Sequence, residues 1–216
     1  MSVQTDTRPS PTKPLSTSTA GVVLAAPLLL LAAELTSPRE PADLSDAGYV
    51  GFLVGNADRL TAAWAIGIAA SAALATAYVV VVGRLRGRGS VVGRIAGVLG
   101  ILGGASLAAH QGASLAALDV AMKDSSLVGA VAAIGDGRSA MVPMPFVIIG
   151  LNLAIILLAV ATTRAGWTPW WVIVAAVLAF LGDWSPTNYN TVIHAAFATV
   201  VYGMIAARLR SGQPAA

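Results

Sequence analysis

No cysteine occurs in the 216-residue chain, which excludes disulfide frameworks, thiolate zinc sites, iron–sulfur clusters and cysteine nucleophiles. Charge is scarce too: 13 Lys and Arg with 10 Asp and Glu make 11% of the residues, where a soluble domain carries about 25%. Only two histidines are present. Phosphate-loop (GxxxxGK), dinucleotide (GxGxxG followed by a ribose-binding acid) and nucleophile-elbow (GxSxG) motifs are all missing, so soluble-type nucleotide or hydrolase chemistry has no support. What is abundant is apolar surface, at 56% hydrophobic residues besides 22 glycines. That balance points to a lipid bilayer, and the fold class it predicts is an all-α polytopic membrane bundle.

Residues 1–19 are rich in Ser, Thr and Pro without apolar periodicity, the pattern of a disordered tail. The transmembrane domain is expected over 20–209, with a C-terminal tail at 210–216. Its first apolar run, Ala20 to Leu35, is short against the roughly 20 residues a span needs. With Arg8 and Lys13 before it, this run also resembles a cleaved signal peptide, which would leave five spans instead of six. Five longer runs follow near Leu60–Val82, Val91–Val120, Met141–Thr163, Thr168–Leu181 and Tyr189–Ala207. The fifth is short but flanked by Trp167, Trp170, Trp171 and Trp184, where indoles favour membrane interfaces. Segments 36–59 and 121–140 read as outer loops.

The charges orient the bundle, because Lys and Arg of short loops collect on the cytoplasmic side. With both termini inside, Arg8, Lys13, Arg84, Arg86, Arg88, Arg94, Arg164, Arg208 and Arg210 are cytoplasmic, against Arg39, Arg59, Lys123 and Arg138 outside. The acids run the other way, with Glu40, Asp43, Asp46, Asp58, Asp124 and Asp136 in the outer segments. The net charge of +3 is thus a topology signal, and nothing remains to support a nucleic-acid partner. With its Ser/Thr/Pro tail, the acidic segment PREPADLSDAGYVGFLVGNADR and the arginine hinge RLRGRGS, the chain resembles the small multi-pass membrane proteins of actinobacterial type. The resemblance implies cell-membrane residence and carries over no catalytic residue.

Two patterns on the third run carry chemistry or packing. Gly100, Gly104, Ala108, Gly112 and Ala116 recur every four residues, preceded by Gly93 and Gly97, and small residues at this spacing let helices approach within a bundle or across a homodimer. Ser106, His110 and Ser114 form a second stripe, and the sixth run offers Asn190, Thr191 and His194. At 1.5 Å per residue both histidines stand roughly 21–24 Å above the cytoplasmic arginines. Glu34, Asp119 and Asp183 end their runs on the same side. Polar groups at that depth are costly and seek partners, so His110, His194, Asp183, Asn190, Glu34 and Asp119 form a candidate outer-half pocket for a proton, a small ligand, a divalent metal or haem b. Asn152, near the middle of the fourth run, would serve a small transporter of the same kind. The plainer alternative is a structural or accessory subunit in which these groups only satisfy neighbouring carbonyls and hydroxyls.

Overall fold

Small side chains on the helix faces that meet decide this architecture. The computed structural model describes residues 16–41, 44–135, 144–184 and 190–211, and these are helical with short connections and no strand. The long elements are α1 (Thr17–Thr36), α3 (Ala57–Arg84), α4 (Ser90–Lys123), α6 (Asn152–Arg164, entered through a π-helical turn at Phe146–Leu151), α7 (Trp171–Asp183) and α8 (Asn190–Ser211). Two short helices, α2 (Asp46–Gly55) and α5 (Val128–Gly135), lie between them. Among the described residues five helices are long and apolar enough to cross a membrane, and α7 is apolar but shorter. An integral membrane protein fits these helices, and the all-α class follows from them directly.

The six long elements close into a ring, α1–α3–α4–α6–α7–α8, each packed on its chain neighbours and α8 returning to α1. Its core draws on every member, including Val23, Tyr78, Ala96, Leu158, Ala176 and Tyr202. Tyr78 and Tyr202 meet edge to face with ring centroids 6.2 Å apart, a favoured aromatic geometry. Val79, Val98, Ile149, Val177 and Leu181 are exposed on the outside of the ring, the apolar girdle that lipid would cover.

Helix ends are set by local chemistry. Ser16 caps α1, its hydroxyl accepting from the backbone N–H of Thr19 at 3.3 Å, so Thr17 to Thr19 belong to the helix. The remainder of the expected tail, residues 1–15, lies outside the described residues, as do 136–143, 185–189 and 212–216. Gly166, in the left-handed region at φ 72°, terminates α6. There Gly166 N–H bonds Thr163 and Trp167 N–H bonds Thr162, a Schellman arrangement that only glycine enters without strain. The helix α7 begins at Trp171 and not at Thr168, because Thr168 is buried in that turn and shares hydrogen bonds with the Thr162 and Thr163 hydroxyls.

The segments expected as outer loops are largely helical. At about 42 and 51 Å long, α3 and α4 exceed a hydrocarbon core of about 30 Å. Their far ends pack with α2 and α5 around a second apolar cluster containing Val50, Leu53, Leu60, Leu118 and Val131. Ser45 caps α2 by accepting from Gly48 N–H at 3.2 Å. Beyond α4, the Ser126 hydroxyl and backbone N–H donate to Asp124 at 2.6 and 2.9 Å and hold its carboxyl below the usual range.

The four-residue stripe of α4 divides. Gly100 and Gly104 are buried, Ala108 is half-buried, and Gly112 and Ala116 are exposed, with open space at Gly112. A residue every four advances about 40° per step at 3.6 residues per turn, so the stripe winds off the packed face. The buried stripe alternates threes and fours instead: Gly93, Ala96, Gly97, Gly100, Gly103 and Gly104, then Ala117, Leu118 and Ala121 nearer α2 and α5.

Candidate functional site

At the end of the ring opposite Arg84, Arg94, Arg164 and Arg208, polar side chains of α6, α7, α8 and α1 form a seam. Asn152 opens the regular part of α6 directly after the π turn, a local irregularity often found at functional positions. Its side chain is 2% exposed. Both amide hydrogens are used: Nδ2 donates to the Ile148 carbonyl at 2.6 Å and to the Asp183 carboxylate at 2.8 Å. Among the described residues the amide oxygen Oδ1 is buried without a partner, an uncommon state for a native polar group.

Asp183 is the last residue of α7 and half-buried. Apart from Asn152, its partner is the first residue of α8, Asn190, whose Nδ2 donates to the Asp183 backbone carbonyl at 3.3 Å. No Lys or Arg among the described residues pairs with its carboxylate. Gly182 permits this approach, since a Cβ there would stand 2.6 Å from Ile193 and 3.3 Å from the His194 backbone nitrogen. One turn along α8, His194 Nδ1 lies 3.2 Å from the Ala179 carbonyl. A carbonyl only accepts, so Nδ1 carries the hydrogen and Nε2 is the other face of the ring. Thr191 donates to Glu34 at 2.8 Å and ties α8 to α1, at the wall of a cleft of about 1190 Å³ that also touches Arg39, Asn56 and Arg59.

No family model, curated protein or solved structure matches this chain.

The six residues singled out from the sequence divide among three surroundings. Asp183, Asn190 and His194 gather where α7 meets α8, with Glu34 joined to the same end of α8 through Thr191. His110 lines a cavity of about 380 Å³ between α2, α3, α4 and α5 that abuts the Glu34 cleft through Ser37, Pro38, Glu40 and Phe52, and among the described residues its Nδ1 is buried without a partner. Asp119 is exposed and pairs with Lys123 one turn on, at 2.6 Å. The haem and divalent-metal readings require His110 and His194 to converge, but α4 and α8 are not adjacent in the ring. Among the described residues no group of three His, Asp or Glu is arranged to hold a metal ion.

Asn152 is the residue that sequence reasoning undervalued. An asparagine inside an otherwise apolar run was visible, but its partner lies 31 residues away. The cavity beside His110 was not legible because α2, which forms one of its walls, sits in a segment read as loop. The available signal was Ser45–Asp46 preceding Tyr49, Val50, Phe52 and Leu53, a helix N-terminus followed by an apolar face.

Proposed function

We propose that the chain is a six-span integral protein of the cell membrane, with both termini cytoplasmic, that binds a small monovalent cation at the Asn152–Asp183 seam. The observation that carries this reading is the pairing of a carboxylate that has no cationic partner with a buried amide oxygen that has no donor, among the described residues. A carboxylate at the C-terminal end of a helix faces the negative end of the helix dipole. In a low-dielectric setting such a group calls for a compensating positive charge. Oxygen donors from Asp183 and Asn152, on two helices, are the hard ligands that an alkali cation or a proton carrier takes, and interhelical polar sites of this kind serve transport.

The test is thermal unfolding in mild detergent at fixed ionic strength, with LiCl, NaCl or KCl exchanged against N-methylglucamine chloride over a range of pH. Wild type gains stability as one of these cations, or the proton, is raised, and Asp183→Asn shows no such gain. An identical response in both proteins sinks the proposal. The accessory-subunit reading would then stand in its place, favoured by the exposed small residues Ala105, Ala109, Gly112 and Ala116 on the outward side of α4.

The orientation has its own test in this cysteine-free chain. Arg84, Arg86, Arg88, Arg94, Arg164, Arg208 and Arg210 lie at one end of the alternating helices, and Glu34, Asp46, Asp58, Asp119, Asp124 and Asp183 at the other. A cysteine at exposed Ser125 reacts with an impermeant maleimide on intact cells, while one at exposed Arg88 reacts only after lysis. The reverse pattern would invert the topology.

A further inference from the structure

At the end of the ring opposite the Asn152–Asp183 seam, the turn between α3 and α4 is pressed onto the last turn of α6. A Cβ at Gly89 would overlap the Ala161 carbonyl oxygen and stand 3.2 Å from Ala165, and one at Gly93 would stand 3.6 Å from the Ala161 side chain. Arg88, Arg94 and Arg164 are the chain neighbours of Gly89, Gly93 and Ala165, so this one contact gathers them. All three are exposed, and among the described residues none has a hydrogen bond or ion pair. Arg86, by contrast, holds the turn itself, donating to the Gly83 and Leu85 carbonyls at 2.9 and 3.1 Å. No Asp or Glu among the described residues lies at this end of the helices. Three guanidinium groups thus share one corner without a counter-charge.

The surface that continues from these arginines is apolar. Val91, Ile95, Val98 and Leu102, all exposed, share one face of α4 with Arg94 at spacings of three and four. On α6, exposed Leu153 stands three turns from Arg164 on the same face. Because α4 and α6 are packed neighbours, the two apolar faces belong to one helix pair, and each ends at an arginine. We propose that this corner binds an acidic phospholipid, its phosphate met by Arg88, Arg94 and Arg164 and its acyl chains laid along Ile95, Val98 and Leu153. A guanidinium fork matches phosphate oxygens in a bidentate contact. Basic corners between membrane helices hold anionic headgroups in this way. A zwitterionic lipid would bring its own cation beside the arginines, and an acidic peptide or nucleic acid would leave the apolar faces uncovered.

The experiment is native mass spectrometry of the full chain, delipidated in maltoside and titrated with phosphatidylglycerol or with phosphatidylcholine of the same acyl chains. The first phosphatidylglycerol binds about tenfold more tightly than phosphatidylcholine, and Arg94→Gln combined with Arg164→Gln lowers it to the phosphatidylcholine level. Phosphatidylcholine binding stays unchanged in that double variant, which shows that its helices still pack. Arg208→Gln combined with Arg210→Gln removes the same charge from the end of α8 and leaves the preference intact. Equal affinity of the wild type for the two lipids overturns the proposal. So do equal losses in the two double variants, which would mean a diffuse surface charge, and release of the bound lipid by excess glycerol phosphate, which would mean a soluble phosphate ligand.

Discussion

Gly100→Ala destabilises the protein by about 3 kcal/mol, near the top of the range for overpacking a filled core, whereas Gly112→Ala on the same helix costs nothing. The two positions stand on one four-residue stripe, and the sequence alone does not separate them. A Cβ at Gly100 would fall within the ring of Tyr78. That ring is 1% exposed and is held by its edge-to-face contact with Tyr202, so it has nowhere to move without displacing α8. At Gly112 a Cβ meets nothing within 4 Å, and alanine is the better helix former. Unfolding in mixed micelles of maltoside and dodecyl sulfate, followed by circular dichroism, measures both. Equal losses at the two positions would show that α3 and α4 do not pack as described.

The second large effect is expected at the seam. Asn152→Leu removes the donor that holds the Asp183 carboxylate and leaves that group half-buried without its partner. Hydrogen bonds to charged groups contribute about 1.5–3 kcal/mol, and an orphaned acceptor carries its desolvation cost as well. A loss of about 2–3 kcal/mol follows for Asn152→Leu. Once the carboxylate is absent, the same substitution should hurt less. The double variant Asn152→Leu with Asp183→Leu therefore loses about 1–2 kcal/mol less than the sum of the single variants. Strict additivity would mean that the 2.8 Å contact contributes nothing, and the cation proposal would lose its geometric basis.

The residues that were legible in sequence share a property: each acts through its immediate neighbours in the chain. Apolar runs specify helices because a stretch of some 20 residues decides its own solvent, and the arginines of RLRGRGS mark a turn whatever lies beside it. The number of long helices, their alternation and the gathering of Arg84, Arg88, Arg94, Arg164, Arg208 and Arg210 at one end follow from such local terms. Even the first run, short by composition, gains its length from a local device, the Ser16 cap.

Side-chain partnership is not local. The i to i+4 pattern on α4 drifts about 40° per step, so only the positions of α3 and α6 show where it leaves the interface. His110 and His194 have similar heights along their helices, yet the order of the ring, with α4 and α8 non-adjacent, gives them separate surroundings. Asp183 meets the Asn152 carboxamide through its carboxylate and the Asn190 carboxamide through its backbone carbonyl, because the π turn sets Asn152 against α7 and Gly182 admits α8. Length and hydropathy along the chain determined the helices. Which of their faces meet, and therefore which polar atoms are satisfied, was decided only by the packing of the ring, because burial is a property of the space between helices.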